Sequence, residues 1–233
     1  MKGGISGRSR HRSAGGLLLV LVLLALTGCN DRADARRLAE LMQVKPCATV
    51  ADFGAGKGAL TATMAAIVGP AGHVYATEIN PERLAILRKK VQQEHLDNVS
   101  VIEGGIKDTR LPADCCDAIF MRGVYHHLTD PAAIDASLYH ALRPGGVIAV
   151  QDFRPSLLLK PWTPSGIPAN RGGHGIRPDI VIDEMTAAGF KVEKVLEPWR
   201  PSWYISNYCV LFRKPAVPAS QGLDRDGGRS AGS

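Results

Sequence analysis

The chain contains five cysteines but no Cys-x-x-Cys pair, so neither a zinc site nor a thioredoxin-like redox centre has its usual spacing. It also lacks an apolar run long enough to cross a bilayer comfortably. The stretch from Leu17 to Leu26 falls short of the roughly 20 residues that a spanning helix needs. Nor is there a real surplus of positive charge behind the formal +6. Lys2, Arg8, Arg10 and Arg12 all precede Cys29 with no acid among them, and the remainder carries 24 basic against 22 acidic residues. Bulk charge therefore gives no support to a nucleic-acid partner. No internal repeat is visible. What is present, 233 residues at 45% hydrophobic content, is enough for one α/β domain with a substantial core.

The first residues read as a secretory leader: a basic start, the apolar run, then small residues before a Cys. Leu26-Thr27-Gly28-Cys29 resembles the lipobox of bacterial lipoproteins, in which the Cys becomes the lipidated mature N-terminus. That resemblance implies a leader over 1–28, export, and a membrane tether through Cys29 at the periplasmic or outer face. An uncleaved signal anchor, or a start codon upstream of the true one, are the alternatives; an unprocessed chain would be cytoplasmic. Among the other cysteines, Cys47 and Cys209 are expected to be small buried apolar residues. The adjacent Cys115-Cys116 can form at best a strained bridge.

The chain is organised around residues 49–60, TVADFGAGKGAL. Thr49 to Phe53 is a short β-branched and apolar run, read as a buried strand. Glycines at alternate positions (Gly54, Gly56, Gly58) let the backbone turn tightly and approach a ligand closely. From Ala59 the pattern is helical (Leu60, Met64, Ile67, Val68) and stops at Gly69-Pro70. A strand, a glycine turn and a helix N-terminus make a site for a nucleotide-like ligand. A nucleoside triphosphate is disfavoured, because Ala51 and Gly58 stand where the Walker A pattern needs Gly and Ser or Thr. The dinucleotide fingerprint fails too, since Gly56 and Gly58 are separated by one residue instead of two. Asp52 adds a negative charge where a pyrophosphate would sit, which suits a cationic ligand. Asp52-Phe53-Gly54-Ala55-Gly56-Lys57-Gly58 resembles the first motif of the class I S-adenosylmethionine-dependent methyltransferases, whose cofactor carries an ammonium and a sulfonium.

Strand and helix patterns alternate through the rest of the chain. An amphipathic helix is expected over Asp31 to Val44. Strands follow at His73 to Thr77, Val99 to Glu103, Asp117 to Met121 and Val147 to Asp152, with helices opened by Pro81 and Pro131. The basic cluster Arg88-Lys89-Lys90 reads as a solvated helix face. Such alternation implies a doubly wound parallel sheet with its ligand loops on one edge. Arg154 to Arg177 is long, aperiodic and rich in Pro and Gly, as lids and substrate-binding segments often are. Asp179 to Ala188 forms another helix. Lys191 to Leu196 and Tyr204 to Arg213 form a closing hairpin, as the resemblance implies. The expected fold is a Rossmann-like, doubly wound seven-stranded sheet, mostly parallel with an antiparallel closing strand. The domain spans 30–214, and a disordered tail follows over 215–233.

The resemblance, strong from Ala48 to Asp152, also implies roles. Asp52, Gly54, Ala55, Gly56 and Gly58 would cradle the cofactor, Glu78 would accept its ribose hydroxyls, and Ile79 would lie against the adenine. Many relatives place an acid where Gly105 stands, so the adenine contacts fall to Gly105 and Ile106, or to Asp108 reaching back. In the stretch after the fourth strand, Met121 to Leu128, Arg122 is expected to flank the cofactor and Tyr125 and His126 to face the acceptor as orienter or base. One buried and one capping or surface His is the structural alternative. Asp152, Trp162, Arg171 and His174 are further acceptor-side candidates. The function implied is methyl transfer from S-adenosylmethionine to a small-molecule acceptor, with no metal ligands indicated; the sequence leaves the oligomeric state open. Two rivals are a non-catalytic binding module at the cell envelope and an NAD-dependent oxidoreductase.

Overall fold

The computed structural model describes residues 30–156, 166–167, 174–202 and 206–216. Its centre is a seven-stranded sheet in the order β3-β2-β1-β4-β5-β7-β6. The strands are β1 (Thr49–Phe53), β2 (His73–Glu78), β3 (Val99–Glu103), β4 (Cys116–Arg122), β5 (Leu142–Phe153), β6 (Lys191–Leu196) and β7 (Asn207–Arg213). β1 to β5 run parallel, whereas β7 pairs antiparallel with both β5 and β6. The expected fold class holds. The leader, the lipobox, Trp162, Arg171 and most of the expected tail lie outside the described residues.

Side-chain alternation builds two cores, one on each face. On one face Phe53, Ile119, Met121, Ile148, Val150, Val210 and Phe212 pack beneath α4 (Pro131–Ala141) and α5 (Pro178–Ala187). The intervening residues Val50, Ala118, Phe120, Val147, Ala149 and Leu211 face the opposite layer. That layer is α1 (30–41), α2 (Thr61–Val68) and α3 (Pro81–Gln93). Proline at the first turn and a capping side chain start two of these helices. Asn80 Oδ1 accepts from Arg83 N–H at 3.0 Å, and Asp130 Oδ1 from Ala133 N–H at 3.3 Å.

Two expectations need correction. β5 begins at Leu142 instead of Val147, because Arg143 to Gly146 are absorbed as an irregularity: the register jumps from Cys116↔Leu142 to Ala118↔Val147. Cys47 is exposed, in a turn with φ of 67°, so only Cys209 is the buried apolar thiol foreseen. Cys115 and Cys116 are free thiols whose sulfurs lie 2.9 Å apart.

Candidate active site

Parallel strands bring the loops after β1 to β5 to a single edge, and Asp52, Gly54, Ala55, Gly56, Glu78, Ile79, Gly105, Ile106 and Arg122 collect there. The glycine turn is fixed to the next strand: Gly54 N–H donates to Thr77 Oγ1 at 3.3 Å and Ala55 N–H to the Thr77 carbonyl at 2.8 Å. Gly54 has φ of 74°, and a Cβ there would lie 2.6 Å from Val124 Cγ2. Gly56, at φ of 59°, has nothing within 4 Å of where its Cβ would project. The first glycine is thus required by packing, and the second leaves the backbone bare beside open space. Gly58 behaves differently from expectation. Its Cβ would meet Leu87 Cδ1 at 2.6 Å, so its bareness serves the approach of α2 to α3, not that of a ligand.

Two adjoining cavities open along this edge and share Gly54, Glu78, Ile79, Val124 and His127. The more apolar one, of about 210 Å³, runs between Ile79 and Ile106 to Leu128 and Ile134 and includes Gly105. Ile79 and Ile106 are 51% and 62% exposed, a large apolar area left bare at its mouth. The other cavity, of about 470 Å³, is the more polar of the two and holds Asp52, Ala55, Gly56, Lys57, Arg83 and Arg122.

Asp52 is 4% exposed and accepts from Thr61 Oγ1 at 2.6 Å. Burial pushes its carboxyl up to about 7, against the Thr61 hydrogen bond and the charge of Arg122, which pull it down, while Glu78 adds to the rise. Such a group gains from a cation beside it. Glu78 is also buried, but its carboxylate is already engaged. Oε2 accepts from Gly56 N–H at 2.9 Å, and Oε1 from the N–H groups of Ile79 and Asn80 at 2.8 and 2.7 Å. These bonds fix the carboxylate against the glycine turn and leave Oε2 the less occupied oxygen for a further donor. Arg122 reaches the polar cavity with its guanidinium tied to α1, Nη1 lying 2.6 Å from Asp31 Oδ1 and 3.0 Å from Asp34 Oδ2.

Asp108 does not reach back toward the cavities. Its Oδ1 accepts from Arg110 N–H at 2.9 Å and Ser137 Oγ at 3.0 Å, which turns it toward α4 and holds its pKa below the usual carboxylate value. Tyr125 is likewise misplaced for the acceptor role. A 3₁₀ turn (Tyr125–His127) sends successive side chains about 120° apart. Tyr125 goes into the core, fully buried, its hydroxyl donating to Asp135 Oδ2 at 2.7 Å, and burial pushes its pKa up. Tyr125→Phe is expected to lower stability by about 1–3 kcal/mol in urea unfolding, by removing a donor from a buried carboxylate. Ligand affinity at the edge should be unchanged in calorimetry.

His126 lies 2% exposed, its Nδ1 2.8 Å from Asp152 Oδ1, and its ring stacks on His127 with centroids 4.0 Å apart. His127, which sequence reasoning did not single out, borders both cavities. Burial, and next the neighbouring His126, hold it at about 4, so it is a neutral imidazole at physiological pH. Among the described residues no group of three or more His, Cys, Asp or Glu is arranged to hold a metal ion.

A bare-backbone turn, a buried carboxylate next to it, a second carboxylate one strand away and an apolar slot beyond fit a cationic nucleoside with an amino-acid end. On this sheet topology that combination is similar to the cofactor site of class I S-adenosylmethionine-dependent methyltransferases. Residues 50–146 match the family described as "Methyltransferase domain". Among curated proteins the chain is similar to the ubiquinone/menaquinone biosynthesis C-methyltransferase UbiE of Vibrio campbellii, 31% identical over 134 residues, which are 57% of this chain and 52% of that protein. The chain thus spans about half the length of the curated relatives it matches. Its fold is shared by an S-adenosylmethionine-dependent methyltransferase of Aquifex aeolicus, at TM-score 0.65 and 23% identity, covering 78% of this chain and 89% of that one. It is shared too by phosphoethanolamine N-methyltransferase 2 of Haemonchus contortus, solved with S-adenosyl-L-methionine, at TM-score 0.65 and 14% identity over 78% of this chain and 52% of that one.

Proposed function

We propose that the protein transfers a methyl group from S-adenosylmethionine to a small-molecule acceptor. The observation that carries this reading is Asp52: a buried carboxylate held near neutrality, facing open space bordered by bare backbone, has a use if a cation is to sit beside it. Asp52, Gly54, Ala55, Gly56 and Arg122 would hold the amino-acid end, Glu78 the ribose, and Ile79, Gly105 and Ile106 the adenine. The cofactor supplies a methyl already activated on a positively charged sulfur. This chain's residues then have to align the acceptor, exclude water and, where needed, take up a proton. Calorimetry with S-adenosylmethionine, S-adenosylhomocysteine and NADH tests the cofactor assignment. The first two should bind and NADH should not; binding of NADH alone would remove the reading.

The same proposal includes export and a lipid tether on Cys29, supported by the basic start, the short apolar run and the sequence Leu26-Thr27-Gly28-Cys29. Among the described residues no helix is long and apolar enough to cross a membrane. Mass spectrometry of the native N-terminus should find it at a lipid-modified Cys29. A chain that retains Met1 would place the enzyme with the cytosolic cofactor supply instead.

A further inference from the structure

We infer that the sheet edge carrying the cofactor site is also a membrane-docking face, pressed against a phospholipid bilayer by the lipid on Cys29. This rests on the tether proposed above. Cys29 stands immediately before α1, which begins at residue 30. A lipid on Cys29 therefore has almost no linker, since the two steps from Cys29 to Asp31 span at most about 7 Å.

The start of α1 is fixed by side chains from distant parts of the chain. Asp31 Oδ1 lies 2.6 Å from Arg122 Nη1, and Arg122 lines the more polar cavity. The Asn30 carbonyl accepts from the Arg200 guanidinium, and Asp34 accepts from Trp199 Nε1 at 2.8 Å. From there α1 runs along the strands to the opposite edge of the sheet. Met42 and Val44, just beyond its end, border a cavity there with Ala48 and Gly145. The anchored end is thus the end beside the cofactor site. A bilayer attached there lies over the loops that follow the parallel strands, while the loops that precede them, such as the one at Asp97, point away from it.

The surface of that edge suits a lipid interface. Ile106 and Ile79 are the two most exposed of the large apolar side chains among the described residues, and both stand at the mouth of the more apolar cavity. Exposed charges of both signs flank them: Lys107 and Lys57, Glu82 and Arg83 at the start of α3, and Glu103 at the end of β3. Apolar tips rising from a charged rim can enter the boundary between headgroups and acyl chains while the charges stay among the headgroups. Two independent features, the place of the anchor and the place of the bare isoleucines, therefore select the same edge.

The lipidated full chain, reconstituted in phosphatidylcholine vesicles, tests this with a fluorophore on Lys107→Cys or on Asp97→Cys, each in a Cys47→Ser background whose own signal is subtracted. Neither residue lines either cavity of the site. Quenching by lipids spin-labelled at stepped depths should place the label at position 107 within about 5–10 Å of the headgroup–acyl boundary, and the label at position 97 should keep its aqueous emission. A lipidated chain whose label at 107 stays in water, or whose label at 97 is the one quenched, overturns the docking face alone. Unlipidated Cys29→Ser protein that sediments as a dimer, with the label at 107 shielded from an aqueous quencher, would assign the edge to a second copy and overturn it too. Absence of lipid on the native Cys29 sinks the tether reading, and this inference with it, before any label is read. Binding of S-adenosylmethionine by the two labelled variants as by wild type shows that they fold and reports on the methyltransferase reading separately.

Discussion

Replacing Asp52 by Asn is expected to weaken S-adenosylmethionine binding by two orders of magnitude or more at pH 8, while making the ligand-free protein more stable. Both effects come from the same charge. Removing one member of a buried, hydrogen-bonded charge pair costs about 2–5 kcal/mol of binding. In the free protein the ionised carboxylate accepts only from the neutral Thr61 hydroxyl among the described residues, and burial raises its pKa from 3.8 to about 7. A carboxyl whose folded pKa lies above its unfolded value contributes a loss of stability as pH rises between the two. That loss is complete above about pH 7, so the neutral amide, which still accepts from Thr61, should gain about 1–3 kcal/mol at pH 8. For a domain of this size the melting temperature should rise by several degrees.

Binding should carry the matching pH dependence. With a free-state pKa of about 7, Asp52 is ionised to about a tenth at pH 6 and about nine-tenths at pH 8. A cation that requires the ionised form therefore binds about tenfold more weakly at pH 6, with one proton released, and the Asn variant should lose this dependence. Titration calorimetry in two buffers of different ionisation heat measures both quantities. Unchanged affinity in Asp52→Asn would remove the charge match on which the cofactor assignment depends. Gly54→Ala is the steric counterpart. Left-handed backbone and a Cβ at 2.6 Å from Val124 together cost about 2–4 kcal/mol, and the displaced Val124 narrows both cavities, so stability and affinity should fall together.

The residues around Asp52 were legible in the sequence for a physical reason. A buried strand, glycines and a helix start are local features, and Thr49–Phe53 and Val99–Glu103 fall where the pattern puts them. Glu78 was legible by its spacing, yet its three backbone donors were not, since one of them, Gly56, comes from the neighbouring strand's loop. Tyr125 and His126 show the limit more clearly. They are adjacent in sequence and equally polar in pattern, and only the 3₁₀ turn decides that one enters the core and the other meets Asp152. Asp108 was misjudged because Ser137, its partner, stands 29 residues away on α4.

Least legible was the fastening of α1, where the second large effect is expected. Asp34, 4% exposed, accepts from Trp199 Nε1 at 2.8 Å across 165 residues of chain and from Arg122 at 3.0 Å, and it pairs with Arg200. Arg37 covers the other side of Trp199, 4.0 Å above its ring. Asp34→Ala leaves the indole N–H without this acceptor and Arg122 with Asp31 as its remaining carboxylate partner, so the loss should be about 3–5 kcal/mol, as for other broken buried pairs. Asp31→Ala, at a half-exposed partner of the same guanidinium, should cost below about 1 kcal/mol. The two variants separate two uses of α1. Each releases Arg122 in part, which alters the field at Asp52 and so the pH at which the cofactor binds, but only Asp34→Ala also loosens the helix from the sheet. Urea midpoints should therefore differ widely between the two, while their pH midpoints for binding move in the same direction, downward, because each variant removes an anion that offsets Arg122, the positive charge that holds Asp52 down. Equal stability losses would show that α1 is held by its apolar face through Ala35, Leu38 and Met42 and that the buried carboxylate adds little.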